Sequence, residues 1–215
     1  MNFLCHSEIA LYVSEQAPNL RKQQSGMLAG AVLGDFLKGP IKETWDPSLT
    51  MGIKLHRKID AMSNRNAIIQ IACNRFPSPM RRLAPILIDI VSDYFLANDW
   101  KTYQHKSLND FSTKCYLALT NYQYLSNERY SNFLKYMKEK NLLANSTNWE
   151  TIETTTFSVL KRLGKDSELI PILEAMERAK PLLTEDFKNF YPALRNSSLN
   201  WILDRNIDFL AFNNH

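Results

Sequence analysis

The stretch Ala84-Pro-Ile-Leu-Ile-Asp-Ile-Val-Ser-Asp-Tyr-Phe-Leu-Ala97 sets two aspartates, Asp89 and Asp93, four residues apart among residues that are otherwise almost all apolar or small. On a helix that spacing puts both carboxylates on one face. The rest of such a helix is too apolar to be left in water, so the segment must be buried. A buried carboxylate without a partner is strongly destabilising, so the fold has to supply hydrogen-bond donors, a cation or a proton. His6, Asp35, His56 and Asp60, each in a similarly apolar helical context, are candidates to meet there.

The pattern of the remaining chain predicts an all-α architecture, a helical bundle formed by residues 1–215 as a single domain. Only 6 glycines and 9 prolines occur in 215 residues, and 45% of the residues are hydrophobic. Long alternating runs of β-branched residues are missing. Asn2 can cap a first helix that ends at Pro18 and turns His6 inward. A second helix is predicted from about Leu20 to Leu37, carrying Asp35 and halted by Gly39-Pro40. On it Gly26, Gly30 and Gly34 recur every fourth residue, a flat strip against which another helix can pack closely.

Asp46-Pro47, an N-cap followed by proline at the first helical position, opens a third helix through about Met62. His56 and Asp60 share a face of it. A fourth helix is predicted from Ser78-Pro79 to Trp100, bent at Pro85. Amphipathic segments follow at Leu108–Leu119, Asn127–Asn141, Asn148–Leu163, Glu168–Lys180 and Leu182–Leu194. The tail 196–215, with Trp201, Ile202, Leu203, Phe209, Leu210 and Phe212, is expected to dock as a helix with a frayed end.

No apolar run approaches the roughly 20 residues that span a bilayer, and the N-terminus lacks the basic region of a signal peptide. The chain therefore reads as soluble and cytoplasmic, without a membrane partner. Cys5, Cys73 and Cys115 are odd in number and lack CxxC spacing, which points to buried thiols. A net charge of +4 permits attraction to acidic partners without implying nucleic acid. Its basic clusters include Lys54-Leu-His-Arg-Lys58, which encloses His56.

Two imidazoles and four carboxylates suit a divalent cation such as manganese, magnesium, iron(II) or zinc. The chemistry such a site supports is hydrolysis of a phosphoester, with Arg57 or Lys54 placed to hold a phosphate oxygen. Each residue also has a structural alternative: a core histidine can be hydrogen-bonded, and Asp60 can pair with Arg57. P-loop, GxGxxG, GxSxG and HExxH patterns do not occur.

In order along the chain, Asn2-Phe-Leu-Cys-His6, Gly34-Asp-Phe36, Leu55-His-Arg-Lys-Ile-Asp60, Arg81-Arg82-Leu-Ala-Pro85, Asp89, Asp93-Tyr-Phe-Leu96, Trp100 and Phe187-Lys-Asn-Phe-Tyr-Pro192 resemble the acyl-carrier-protein phosphodiesterases. The resemblance implies a helical fold similar to HD-type metal phosphohydrolases and a divalent cation, typically manganese, with magnesium or iron(II) as alternatives. It also implies hydrolysis of the acidic holo-acyl carrier protein to apo-carrier and 4′-phosphopantetheine. Carried over by position, it implies His6, Asp35, His56, Asp60, Asp89 and Asp93 as the metal set. His56, Asp60, Asp93, Arg57 and Tyr94 are then expected to serve the reaction.

Four positions depart from the family's pattern: Tyr94 and Glu8 stand where histidine is common, and Ser63-Asn64 stands where Thr-Asp is common. These keep open a catalytically impaired carrier-binding relative. A third reading is a hydrolase acting on a nucleotide or another small phosphoester.

Overall fold

The computed structural model describes residues 2–125 and 128–212, excluding the side chains of 129 and 205–212, and over them the chain is all-helical, as the sequence predicts. Helix α1 (Phe3–Gln16) ends before Pro18, and a 3-10 turn leads to α2 (Gln24–Leu33) and α3 (Pro47–Arg65). Next come α4 (Ala67–Cys73), α5 (Ala84–Asn98), α6 (Trp100–Tyr103) and α7 (Leu108–Asn121). Helices α8 (Glu128–Glu139), α9 (Trp149–Arg162) and α10 (Leu169–Phe212) complete the order. No described helix is long and apolar enough to cross a membrane.

Local chemistry sets several of the helix starts. The Asp46 carboxylate accepts from the amides of Ser48 and Leu49 at 2.9 and 3.0 Å, and Pro47 needs no partner at the first position. Asn66 caps α4 by accepting from the Ile68 amide, a short helix the sequence pattern does not predict. Two expectations are corrected near prolines. Residues Ser78–Met80 form a 3-10 turn, and Pro85 lies in the first turn of α5, where its missing N–H costs nothing and bends nothing. Likewise α2 begins at Gln24 because Pro18–Leu20 is taken up in its own turn.

The predicted segments Glu168–Lys180 and Leu182–Leu194 and the tail as far as Phe212 form one helix from Leu169, α10, with Pro181 and Pro192 inside it. An internal proline costs about 3 kcal/mol of helix stability. Burial of Leu183, Phe187, Phe190, Tyr191, Leu194 and Ile202 against the core offsets that cost. The expected frayed end lies, at 213–215, outside the described residues, as do the side chains of Phe209, Leu210 and Phe212.

Helices α1 and α2 are buried nearly all round, which marks them as the central elements. The glycine strip on α2 is where α3 packs. A Cβ built on Gly30 would sit 2.6 Å from the backbone nitrogen of Ile53 and from the carbonyl oxygen of Leu49. Gly52 answers from α3, where a Cβ would lie 2.6 Å from the Met27 carbonyl oxygen. Since backbone cannot swing aside, Gly30→Ala is expected to force the helices apart and cost about 1–3 kcal/mol despite alanine's better helix propensity. A thermal midpoint equal to or above that of the parent protein would count against this packing. Cys5 and Cys115 are buried and Cys73 half-buried, all as free thiols.

Candidate metal centre

His6 on α1 and His56 on α3 stack their rings, with centroids 4.2 Å apart and planes 28° from parallel. They are only 1% and 3% exposed. His6 Nδ1 is 3.0 Å from the Asn2 carbonyl oxygen, and His56 Nδ1 is 2.7 Å from that of Ala31. A carbonyl only accepts, so each Nδ1 carries the proton and donates, and each Nε2 presents its lone pair. Both Nε2 atoms face Asp60, at 3.1 Å from Oδ1 and 3.3 Å from Oδ2. The three ligand atoms lie within 4.8 Å of one another.

Two lone pairs facing a carboxylate require something positive between them. Protons could serve, but burial and the charge of His56 lower the pKa of His6, so a doubly protonated stack is disfavoured. Burial pushes the Asp60 carboxyl up, but His56 and His6, when they hold a proton on Nε2, donate to it and with their charge pull it well below the usual carboxylate range. Asp60 is thus an anion, and a single divalent cation would satisfy all three groups. Backbone carbonyls that orient imidazoles through their far nitrogens are the customary support of a metal-ligating histidine. The residues present fit such an ion.

The structure places the other candidates around this group at differing depths. The Asp35 carboxylate is 3.8 Å from His56 Nε2 and 3.6 Å from Lys38 Nζ, and is 46% exposed. Asp89 is half-buried on the cavity wall. Asp93, 3% exposed, accepts from the amides of Leu4 and Cys5, each at 3.0 Å. Those amides belong to the first turn of α1, which has no partner within its own helix. Asp93 therefore supplies the cap expected of Asn2, whose side chain makes no capping bond. Burial pushes its carboxyl up to about 6 against the pull of those two hydrogen bonds.

Arg57 donates through Nη2 to the carbonyls of Leu37 and Gly39, both at 2.9 Å, tying down the loop that carries Asp35. Tyr94 packs edge-on against Trp149, with Lys180 Nζ 4.9 Å above its ring, outside the cavity wall. Glu8 lies two residues beyond His6, about 200° round α1. It accepts from Tyr191 at 2.5 Å, Gln104 at 2.8 Å and Arg195, joining α1 to α10. The third glycine of the strip belongs to the site: a Cβ at Gly34 would lie 2.4 Å from His56 Cδ2, so the ring occupies the room that glycine leaves.

Beside the histidines opens a cavity of about 900 Å³, large for a small-molecule site. Asp35, Asp60 and Asp89 make one part of its wall acidic, and Phe3, Phe36 and Phe133 make another aromatic, with ring centroids 5.0 Å apart for both pairs that share Phe133. Lys38 and Arg162 bring positive charge. Phe133 and Arg162 are absent from the candidates read off the sequence, where Ser63 enters only as part of the Ser63-Asn64 departure. Their signal is too weak, since an aromatic or basic residue on an amphipathic helix is ordinary until its neighbours are known.

Fold and site together define an all-helical protein in which two buried histidines and a half-buried aspartate could hold a divalent cation beside a part-acidic, part-aromatic cavity. Comparison with known proteins gives the narrower placement. The family model of acyl carrier protein phosphodiesterase matches residues 1–194. The chain is 26% identical over 199 residues to the acyl carrier protein phosphodiesterase of Yersinia enterocolitica, covering 92% of this chain and 97% of that one. It is 25% identical over 195 residues to that of Yersinia pestis, covering 90% and 95%. Over 100 residues, 46% of each chain, it is 34% identical to that of Escherichia coli strain K12 / DH10B. No solved structure matches. The chain belongs to the acyl carrier protein phosphodiesterase family.

Proposed function

We propose that this protein is a divalent-cation-dependent phosphodiesterase that releases 4′-phosphopantetheine from holo-acyl carrier protein. The observation that carries the reading is the pair of stacked imidazoles whose Nδ1 atoms are pinned by backbone carbonyls while both Nε2 atoms converge on Asp60. Family membership supplies the substrate class. In the reaction a water oxygen bonds to phosphorus, the bond from phosphorus to the carrier's serine oxygen breaks, and that oxygen leaves with a proton. A cation held by His6, His56 and Asp60 would neutralise charge on a phosphoryl oxygen and make hydroxide accessible near neutral pH.

The chain's own residues supply the rest. Asp35, beside His56, is an additional carboxylate for the ion or for a proton. Arg57 keeps Asp35 in place through its loop, and Asp93 fixes the turn of α1 from which His6 projects. The aromatic wall suits the gem-dimethyl and methylene groups of the slender pantetheine arm. Lys38 and Arg162 add positive potential that favours an acidic carrier. Tyr94, the histidine-to-tyrosine departure, lies outside the cavity wall, which favours an active enzyme over an impaired relative.

The expected result is that protein loaded with manganese converts holo-carrier to apo-carrier, read as the mass loss of one phosphopantetheine, and that a chelator stops the conversion. Metal-replete protein that leaves holo-carrier intact while hydrolysing nucleotides would transfer the site to the small-phosphoester reading.

A further inference from the structure

Among the buried side chains, the hydroxyl of Ser63 has no hydrogen-bond partner in the described residues. Ser7 and Ser198 share that condition but are not part of the cavity wall, whereas Ser63 is. Its residue is 4% exposed and stands on α3 at the third place of the series His56, Asp60, Ser63. Spacings of four and three residues put all three on one face, with Ser63 about 4.5 Å along the axis from Asp60.

Apart from Ser7 and Ser198, the other buried helical serines in this chain find a partner. Ser92 and Ser112 donate to the carbonyls four residues back, at 2.7 and 2.8 Å, and Ser146 does so at 3.1 Å. That bond is the ordinary recourse of a helical hydroxyl, and Ser63 forgoes it. A buried hydroxyl left unpaired carries a desolvation cost with no return from the fold. Ser7 and Ser198 carry that cost away from the cavity, whereas at Ser63 a group entering the cavity can supply the partner. The neighbouring wall offers carboxylates that only accept, so an oxygen-rich ligand group beside Asp60 has Ser63 as a neutral donor.

We propose that Ser63 is a substrate-binding residue whose hydroxyl donates to a non-bridging oxygen of the phosphodiester held at the His6, His56 and Asp60 group. The inference rests on the phosphodiesterase reading and names the group that the substrate's phosphate meets next to the cation.

The test is Ser63→Ala in the full chain, with manganese present. The kcat/KM for holo-carrier should fall about ten- to hundredfold, the loss of one hydrogen bond to a charged group. Manganese content should not change, and without phosphate the thermal midpoint should hold or rise, because the unpaired hydroxyl is gone. Inorganic phosphate should raise the midpoint of the unaltered protein and raise that of the variant less.

An unchanged kcat/KM with an unchanged phosphate response overturns the proposal. So does a lowered midpoint with a normal phosphate response, which marks a merely structural hydroxyl. A fall in kcat/KM with a normal phosphate response moves the contact to the pantetheine arm and overturns the phosphate assignment. If the unaltered protein spares holo-carrier but loses its phosphate response on Ser63→Ala, the carrier reading fails and the Ser63 contact stands. An unaltered protein lacking both activity and phosphate response overturns both.

Discussion

Replacing Asp60 by alanine is expected to eliminate hydrolysis of holo-carrier and to strip the protein of divalent metal while leaving its helical content in place. Asp60 is the anionic member of the group: both Nε2 atoms point at it, at 3.1 and 3.3 Å, and its charge is what a cation shared with them would balance. Loss of a mere outer partner of a metal site costs about 10–100-fold in affinity or activity. Loss of the only carboxylate in the converging trio should cost at least about a hundredfold in each. Asp60→Asn, which keeps the shape and removes the charge, should fall nearly as far, because neutral oxygen does little to hold a cation between two imidazoles. His56→Ala is expected to behave alike. Metal analysis, the carrier mass-shift assay and circular dichroism check the set together. Metal-replete Asp60→Ala with parental turnover would remove Asp60 from the site.

Asp93→Ala is expected to give the largest loss of stability, by a different mechanism. The side chain satisfies two first-turn amides of α1 from a buried position on α5. Alanine leaves both donors unpaired and opens a space beside them, a cost of about 3 kcal/mol or more. For a chain of this size that corresponds to a fall of about 6–12 °C in thermal midpoint. Because His6 follows Leu4 and Cys5 directly, manganese affinity should fall too, by about tenfold. A variant with the parental midpoint would show that α1 does not depend on this cap.

The same residue gives a pH dependence whose sign can be worked out. Its carboxyl is raised to about 6 in the folded protein, against about 3.9 in an unfolded chain. The folded state therefore holds the proton more tightly between those values. The contribution is fully present below about pH 4 and is lost as pH rises to about 6. In metal-free protein the stability advantage of the parent over Asp93→Asn should shrink across that window. A gap that widens instead would contradict the raised value.

Much of the helical layout was legible because it is written in neighbouring residues. Asp46-Pro47 starts a helix wherever it lies, Pro18 ends one, and the glycine strip needs only its spacing to announce a close approach. Where the reading failed, a proline was judged by its local preference alone. Pro85 opens α5 instead of bending a longer helix, and Pro181 and Pro192 sit inside α10 because burial of the surrounding apolar side chains outweighs the lost backbone bonds.

The site divides in the same way. That His56 and Asp60 share a face follows from their spacing, a property of any α-helix. That His6 stacks on His56 does not follow, since α1 and α3 are brought together through a glycine-lined helix lying between them in sequence. Nor does the use of Asp93, four residues from Asp89 on the same helix, as a cap for a chain segment 88 and 89 residues away.

By itself, the sequence determined most of the helical stretches, which face of each is apolar, and that the two histidines and Asp93 had to be met by partners. Periodicity and capping act within a few residues and suffice for that. Which partner each group received was decided only by tertiary packing. The choice between a cation, a backbone amide and an arginine for a given carboxylate depends on what another helix presents a few ångströms away, and distance along the chain carries no record of it.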